Sequence, residues 1–298
     1  MILLMDITIT WYVFIAILGL LMGSFAGATV WRIRAYQLKE DKKLGEEYDK
    51  KEFEQLKKLT KHSVASDRSR CLHCNHVLEW HDLVPLVSWL RTGGKCAYCK
   101  KSIGVFEPII EVATAVLFVA VYHFSVTMSY PLAVTILLLV ISLGMVILFF
   151  YDQKWLLLPN SVMWSVIGLS AVWWVWLLLQ TNDVVAFIIS TVISIATLSG
   201  LYLLLWTVSK GMWVGFGDVK LGLALGLLLA ADWRLALLTL FLANLIGTII
   251  VLPGLLSKKI SRRSQVPFGP LLIAGFYLSF FFGTTVVDWY TRLAGYGF

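Results

Sequence analysis

Long apolar runs are the feature that most constrains how this chain of 298 residues can fold. Hydrophobic residues make up 59% of the sequence and charged residues only 14%, whereas ordinary soluble domains carry about a quarter charged residues. Several runs reach the roughly 20 residues that a helix needs to cross a bilayer. The sequence therefore predicts an all-α polytopic membrane protein with about eight transmembrane helices. The predicted spans are 9–31, 107–126, 131–151, 161–180, 184–208, 219–231, 234–256 and 268–288.

The basic residues are concentrated in one polar segment. Residues 32–101 hold 16 of the 25 Lys and Arg. With eight spans, this segment falls on the same side as the basic joints near residues 152, 215 and 260, which include the cluster at 258–263. An excess of Lys and Arg marks cytoplasmic loops, so we expect the segment to be cytoplasmic and both termini to be outside. Acids offset most of its charge, and we therefore expect membrane lipid around the protein and no nucleic-acid partner.

The polar segment divides the predicted domains. We expect a first transmembrane helix over 1–31, a cytoplasmic segment over 32–106, and a transmembrane core over 107–298. Within the segment, alternating charges over 37–65 predict an exposed helix with pairs such as Glu54–Lys58. Such a helix is either a solvated spacer or a surface that docks a partner.

The four cysteines form two Cys-x-x-Cys pairs separated by 21 residues. Each turn can direct two thiolates at one centre, and two such turns complete a closed tetrahedral sulfur site. The residues around them, 71–106, are too few for a self-sufficient apolar core, so a metal would stabilise them. The sequence predicts a structural zinc site here. Its ligands are Cys71, Cys74, Cys96 and Cys99.

Other chemistries remain open for these cysteines. Two disulfides or a redox role are the alternatives, although a cytoplasmic location disfavours disulfides. A histidine could replace one thiolate, and iron could replace zinc. The candidate histidines are His73, His76 and His81.

Two aspartates at the ends of apolar runs predict a catalytic site. Asp152 follows the run that ends at Tyr151, and Asp218 lies in Gly215-Phe216-Gly217-Asp218. Acids at membrane depth are expensive and are functional-site candidates. The predicted topology places both on the cytoplasmic side. Glu111 is the third acid in that half of the membrane, and Asp183, Asp232, Asp6 and Asp288 are expected in solvated outer positions.

If the two aspartates converge, their chemistry is that of an acid pair. Two carboxyl groups about 3 Å apart cannot both ionise, so they share one proton. The ionised group can then act as a general base on water, while the protonated group polarises a peptide carbonyl. In the alternative, Asp152 forms an ion pair with Lys154 or Lys220 at the membrane interface.

Glycines at four-residue spacing predict close helix packing. They occur at Gly19, Gly23 and Gly27 and again at Gly222 and Gly226. Small residues at this spacing let two helix backbones approach each other.

Together these strings resemble the type IV prepilin peptidases, membrane aspartyl proteases of the Gly-x-Gly-Asp kind. Any one string is short, but five occur in the family's order across most of the chain. The matching strings are Gly23-Ser24-Phe25 with Val30 and Arg32; Cys71 to Glu111, including Asp82 to Trp89 and Glu107-Pro108; Asp152 with Pro159-Asn160; Gly215 to Lys220; and Pro267-Phe268-Gly269-Pro270.

The resemblance implies an inner-membrane endopeptidase with Asp152 and Asp218 as catalytic residues. It implies removal of the basic leader of prepilins or pseudopilins at the cytoplasmic face, after a glycine and before the apolar pilin helix. Many members of the family also N-methylate the new terminus with S-adenosylmethionine. Gly27 stands where the family usually has Asn, and Glu111 either serves this second activity or hydrogen-bonds between helices.

Two other functions are compatible with the residues. The same acids could relay protons or cations in a transporter, although no repeat halves support this. A non-catalytic zinc-bearing assembly protein is the third alternative.

Overall fold

The chain is described in a computed structural model that covers residues 2–60, 68–257 and 266–294, with side chains from residue 9 onward. Within these ranges the fold is helical, apart from the isolated bridges Arg70–Val77 and Lys95–Ser102. Seven of the described helices are long and apolar enough to cross a bilayer. The prediction of an all-α polytopic membrane protein is therefore confirmed. The basic cluster at 258–263 lies outside the described residues.

The chain forms two compact units, residues 1–147 and 148–298. The first unit contains the long polar segment between two membrane-length helices. Its elements are α1 (Ile2–Leu44), α2 (Lys50–Leu56), the 3₁₀ turns Lys57–Thr60 and Trp80–Asp82, α3 (Val87–Thr92), α4 (Phe106–Thr127) and most of α5 (Leu132–Trp155).

Helices α1 and α4 pack together along the predicted glycine face. A Cβ atom on Gly19 would lie 2.6 Å from the Cα atom of Ala115, and one on Gly23 would lie 2.6 Å from the Cα atom of Glu111. No side chain fits in that space, so the glycines allow the two backbones to touch. Gly27 lies at the edge of this contact, where a Cβ would meet only the end of Ile110 at 3.8 Å.

The charged segment differs from the single exposed helix predicted over 37–65. Helix α1 continues to Leu44, the chain turns at Gly45 with φ +74°, and α2 begins after Asp49, whose side chain accepts the backbone N–H groups of Lys51 and Glu52. Residues 61–67 lie outside the described ranges. The left-handed backbone at Gly45, which glycine adopts readily, ends the first helix and allows the second to fold back.

The folded-back helix is held by an apolar cluster rather than by solvated charge pairs alone. The buried members of the cluster are Ala35, Leu38, Phe53, Leu56 and Leu59. Beside it, an oxygen of Glu52 lies 2.7 Å from the Arg34 guanidinium. Lys57 pairs with Glu54, three residues away, whereas the sequence pattern predicted Glu54–Lys58. The segment is thus a small helical hairpin, not an open spacer.

The second unit carries the remaining membrane-length helices. Its elements are the end of α5, α6 (Asn160–Gln180), α7 (Val184–Ile195), a π-helical turn (Ala196–Gly200), α8 (Leu201–Ser209), α9 (Phe216–Leu228), α10 (Trp233–Leu256) and α11 (Phe268–Leu293). Helices α7 and α8 form one membrane-length segment, Val184–Ser209, through the π turn.

Helix α9 is shorter than the predicted span over 219–231. It has 13 residues and ends at Leu228, so it is about 20 Å long, whereas the hydrocarbon core is about 30 Å thick. The chain then turns over Leu229 to Asp232 before α10 begins. Leu229 and Ala230 are fully or almost fully buried, whereas Ala231 is exposed, so the first half of this turn lies inside the protein.

Backbone groups at this turn are satisfied by side chains of neighbouring helices. The indole Nε1 of Trp173 donates to the carbonyl oxygen of Leu228 at 3.1 Å, and Ser194 Oγ donates to that of Leu229 at 3.4 Å. The backbone N–H of Trp233 donates to Ser190 Oγ at 2.9 Å. Non-helical backbone at membrane depth is tolerated only with such partners.

The glycine face of α9 packs on the π turn. A Cβ on Gly222 would lie 2.3 Å from the carbonyl oxygen of Leu198, and one on Gly226 would lie 2.9 Å from the Cα atom of Ile195. Ser199 Oγ donates to the carbonyl oxygen of Val219 at 2.9 Å. The predicted close packing is confirmed at both glycines.

Trp173→Phe should destabilise the fold, because it leaves the carbonyl oxygen of Leu228 without its indole donor. An unsatisfied buried acceptor costs about 1–3 kcal/mol, so we expect a lower unfolding midpoint in detergent. Trp289→Phe is the matched control, since that side chain is 62% exposed. Equal midpoints for the two variants would show that the Trp173 bond does not stabilise the turn.

Candidate active site and metal centre

Asp152 lies in the last turn of α5 and is buried, with 6% of its surface exposed. The helix stops three residues later, where Leu156 adopts φ +55° and donates its N–H to the carbonyl oxygen of Asp152 at 2.8 Å. Pro159 then precedes the first residue of α6, Asn160. The residues between Asp152 and Asn160 therefore form the tight connection between two membrane helices.

The carboxylate of Asp152 is held by the N-terminus of α11. Its Oδ2 atom accepts the backbone N–H of Gly269 at 3.0 Å. Gly269 is the second residue of α11, where N–H groups have no intrahelical partner and carry partial positive charge. A Cβ on Gly269 would lie only 2.8 Å from that oxygen. Glycine is thus required for this carboxylate to approach the helix end.

Asp218 is the third residue of α9 and is half-buried. Its backbone N–H donates to the carbonyl oxygen of Gly215 at 3.1 Å. A Cβ on Gly215 would lie 3.6 Å from Asp218 Oδ2, so the carboxyl group lies against the backbone of the loop that precedes α9. The first turn of a helix is a favourable place for an acid.

The two predicted acids belong to segments that meet at Leu158. A Cβ on Gly217 would lie 3.0 Å from Leu158 Cβ, and one on Gly269 would lie 3.5 Å from Leu158 Cδ2. Gly217 precedes Asp218, and Gly269 binds Asp152. The carboxyl groups of Asp152 and Asp218 are within electrostatic range of each other. The structure therefore brings the ends of α5, α9 and α11 together around two acids.

Lys220 forms a further contact between the segments that carry the acids. Its Nζ atom donates to Asn160 Oδ1 at 2.7 Å and lies over the rings of Trp164 and Phe216, 5.5 and 5.2 Å from their centroids. Lys154 Nζ lies over the Trp155 ring at 4.9 Å. Lys220 thus ties the start of α9 to the start of α6, in place of the predicted alternative of a pair with Asp152.

Tyr202 was not selected from the sequence, yet it lies beside the acids. Its ring packs on Phe268 with centroids 5.2 Å apart, and it is within electrostatic range of Asp218. A tyrosine within an apolar span reads as packing or as part of an aromatic belt. The one sequence feature that could have singled out Tyr202 is its position in the interior of the 184–208 span.

The four cysteines converge as predicted. Their sulfur atoms all lie within 4.8 Å of one another and can hold one metal ion. Sγ of Cys71 is 3.9 Å from Sγ of Cys99, close to the separation of about 3.8 Å that two Zn–S bonds of about 2.3 Å span in a tetrahedron. All four cysteines are free, so the disulfide alternative is not observed. None of the three histidines belongs to the described cluster.

Each cysteine pair lies in the same kind of knuckle turn. The N–H of Cys71 bonds the carbonyl oxygen of His76 at 3.0 Å, and the N–H of Cys96 bonds that of Lys101 at 2.9 Å. Asn75 and Lys100 occupy equivalent left-handed positions, with φ +60° and +58°. Two such turns present four thiols to one point.

Backbone donors and burial act differently on two of these thiols. Burial raises the pKa of the Cys71 thiol to about 12. Burial also opposes ionisation of Cys96, but the N–H groups of Cys99 and Tyr98 and the thiols of Cys71 and Cys99 lower the pKa of its thiol to about 7. Because the thiolate is the metal ligand, binding of a metal ion at this cluster must release protons from the thiols.

Glu111 has a structural partner. Its Oε2 atom accepts the N–H of Leu86 at 2.9 Å, and its carboxyl group also interacts with Ser24. Leu86 adopts φ +59°, so the bond supports a turn in the cysteine-bearing segment. Glu111 thereby links that segment to the contact between α1 and α4.

Comparison with known proteins points to one family. The model for the bacterial Peptidase A24 N-terminal domain matches residues 17–124. Among curated proteins, a prepilin leader peptidase/N-methyltransferase of Pseudomonas aeruginosa is 29% identical over 94% of this chain and 93% of its own length. The protein of the same name from Bacillus subtilis is 27% identical over 78% of this chain and 88% of its length. No solved structure matches the chain.

A third relative decides the assignment. The prepilin leader peptidase/N-methyltransferase of Aeromonas hydrophila is 30% identical over 232 residues, which cover 75% of this chain and 74% of that protein. The match extends well beyond the N-terminal domain and therefore includes much of the membrane core. With the acids, the cysteine cluster and the membrane helices in place, the chain belongs to the prepilin leader peptidase/N-methyltransferase family.

Proposed function

We propose that this chain is a membrane aspartic endopeptidase that removes the basic leader of type IV prepilins or pseudopilins. The observation that carries the proposal is the convergence of Asp152 and Asp218 at the ends of three helices around Leu158. The names of its relatives supply the substrate class.

The pair can hydrolyse a peptide bond without any other group changing its bonds. One carboxylate takes a proton from water as the water oxygen bonds to the carbonyl carbon, and the other carboxylic acid donates its proton to the carbonyl oxygen. When the tetrahedral intermediate collapses, one of its hydroxyl groups returns a proton to the ionised aspartate, the C–N bond breaks, and the amine leaves with the proton held by the other aspartate. The two aspartates titrate as a unit, so the roles belong to the pair.

The family and the apolar helices indicate a multi-pass protein of the inner membrane. We propose that the acid pair and the cysteine-bearing segment face the cytoplasm, because Lys and Arg are concentrated in residues 32–101 and near the acid-bearing joints. The basic leader would then be cleaved at that face while the apolar pilin helix remains among the spans.

A second proposed activity is N-methylation of the new terminus with S-adenosylmethionine as the methyl donor. Its support is the name of the relatives. The bond between Glu111 Oε2 and the Leu86 N–H supports a structural role for Glu111. Mass measurement of a cleaved prepilin, with and without the methyl donor, tests this activity through the gain of one methyl group.

We propose zinc as the metal of the Cys71, Cys74, Cys96 and Cys99 cluster. A tetrahedral set of four sulfur ligands suits zinc, although such a set also accepts iron. Zinc would supply bonds that hold the two knuckle turns together, while the acid pair carries the peptidase chemistry. The transporter alternative receives no support from the relatives described above.

Replacing either aspartate tests the peptidase directly. We expect Asp152→Asn and Asp218→Asn each to lower kcat for prepilin cleavage at least about 1,000-fold, since an amide neither accepts nor donates the proton. Cleavage by purified protein in detergent is measured by product mass. Asp288→Asn, which changes an exposed acid of the same unit, should cleave normally. Full cleavage by either aspartate variant would exclude catalysis by the acid pair.

Gly269→Ala tests the placement of Asp152 without altering an acid. The new Cβ would lie 2.8 Å from the Asp152 carboxylate, so the carboxylate must move and its bond to the helix end must lengthen. We expect kcat to fall about 10- to 100-fold. Gly168→Ala is the control, because no atom lies within 4 Å of a Cβ there. Equal activity of the two variants would contradict this role for Gly269.

Removing two thiols tests the metal site. We expect stoichiometric zinc, measured by elemental analysis of the purified protein, to be lost when both Cys71 and Cys96 are changed to Ser, and residues 71–106 to become sensitive to protease. His73→Ala should retain the metal, because His73 lies outside the cluster. Zinc that persists in the double variant would contradict the four-thiolate site, and iron in the unsubstituted protein would contradict zinc.

A further inference from the structure

Tyr202 presents a buried hydroxyl group to the neighbourhood of the acid pair. The residue is 3% exposed, and within the described residues its Oη atom has no hydrogen-bond partner. Most buried hydroxyl groups in folded proteins are hydrogen-bonded, so an unsatisfied one calls for an explanation. This hydroxyl is within electrostatic range of Asp218. A donor held in this way is available to a ligand that reaches the acids.

The ring of Tyr202 packs on the start of α11, whose second residue binds Asp152. It packs on Phe268 with a centroid distance of 5.2 Å, and Phe268 precedes Gly269, whose N–H binds Asp152. The hydroxyl of Tyr202 therefore occupies a defined position relative to Asp152 as well as Asp218.

The π turn before α8 determines the direction of Tyr202. The N–H of Leu201 bonds the carbonyl oxygen of Ala196 across five residues, and one added residue rotates the side chains of α8 by about 100° around the helix axis. Ser199, inside the turn, bonds the carbonyl oxygen of Val219 at 2.9 Å, next to Asp218. A π turn costs regular hydrogen bonding, and such turns occur frequently at functional sites. Here the turn sets the direction in which Tyr202 leaves α8, where its ring packs on Phe268.

We propose that the Tyr202 hydroxyl donates a hydrogen bond to the scissile carbonyl oxygen as negative charge develops on that oxygen in the transition state, before its protonation by the acid pair is complete. The inference rests on the peptidase function proposed above. The phenol keeps its proton throughout, so the proton transfers remain those of the acid pair. Its contribution is electrostatic: a preorganised donor stabilises the transition state, in which the carbonyl oxygen gains charge, more than the substrate. The donor would be free until substrate arrives.

Tyr202→Phe tests the proposal, because it removes one oxygen atom and keeps the ring contact with Phe268. We expect kcat for prepilin cleavage to fall about 100-fold, as for loss of one oxyanion donor, with KM changed less than about twofold. The unfolding midpoint should be unchanged or higher, since an unpaired buried hydroxyl is removed. If the hydroxyl had a structural role instead, the variant would have a lower unfolding midpoint.

Ser279→Ala is the matched control. Ser279 Oγ is also buried without a partner in the described residues, but it lies 11 residues beyond Phe268 on α11, about 16 Å along the helix. This variant should cleave at the normal rate. Activity of Tyr202→Phe within about twofold of the control would overturn the proposal, and so would a fall in activity accompanied by a lower unfolding midpoint.

Two inhibitors provide a second measurement that does not depend on turnover. One is a prepilin peptide with a secondary alcohol in place of the scissile carbonyl, and the other has a methylene group there. Tyr202→Phe should weaken binding of the alcohol about 10-fold or more and leave binding of the methylene peptide unchanged. An unchanged affinity ratio would contradict the proposed contact. Absence of prepilin cleavage by the unsubstituted protein would instead refute the peptidase itself, so the two failures are distinguishable.

Discussion

The hydrogen bond between the Gly269 N–H and the Asp152 carboxylate is the interaction on which the acid site depends. A helix beginning inside a membrane protein has N–H groups that need acceptors, and a buried carboxylate needs donors. Each satisfies the other. The absence of a side chain at Gly269 allows this contact, and the ring of the adjacent Phe268 packs on Tyr202. One bond therefore couples the placement of a catalytic candidate to the start of α11.

The same requirement for backbone partners explains the irregular parts of the second unit. Helix α9 stops at Leu228, and its last carbonyl is capped by Trp173. The π turn is bound to α9 through Ser199 and packed against Gly222. In a medium without water these departures from regular helix persist only where another side chain supplies the missing bond. They produce the short helix that presents Asp218.

Short sequence motifs identified the residues of the candidate sites better than they predicted how distant residues pack together. The spacing of the cysteines was sufficient to predict their convergence, because each pair lies in one short turn whose backbone bonds are local. Asp152 and Asp218 stood out because so few acids occur in the apolar runs. Their proximity depends on Leu158 and Gly269, which are distant in sequence from Asp218, and no periodicity encodes that contact. The assignment of both acids as catalytic stays a prediction.

Two parts of the fold could not be predicted from sequence patterns. The alternating charges over 37–65 predicted an exposed helix, although Leu38, Phe53 and Leu56 are buried between the two arms of a hairpin. These few apolar residues lie among many charged ones, so the charge pattern outweighed them in the prediction. The apolar run over 219–231 indicated a full span, since hydropathy does not report where a helix ends once Trp173 and Ser194 can satisfy its last carbonyls.

The two candidate centres consequently differ in how they depend on the fold. The thiol cluster is built from two knuckles with local hydrogen bonds, and metal binding would stabilise residues 71–106 through those two turns. The acid pair is built from the ends of α5, α9 and α11 and has no local scaffold. Loosening any of these three ends moves a carboxyl group or Tyr202 and removes the convergence. The proposed acid site thus depends on tertiary packing in the second unit, where glycines at 217, 222 and 269 allow the close approaches.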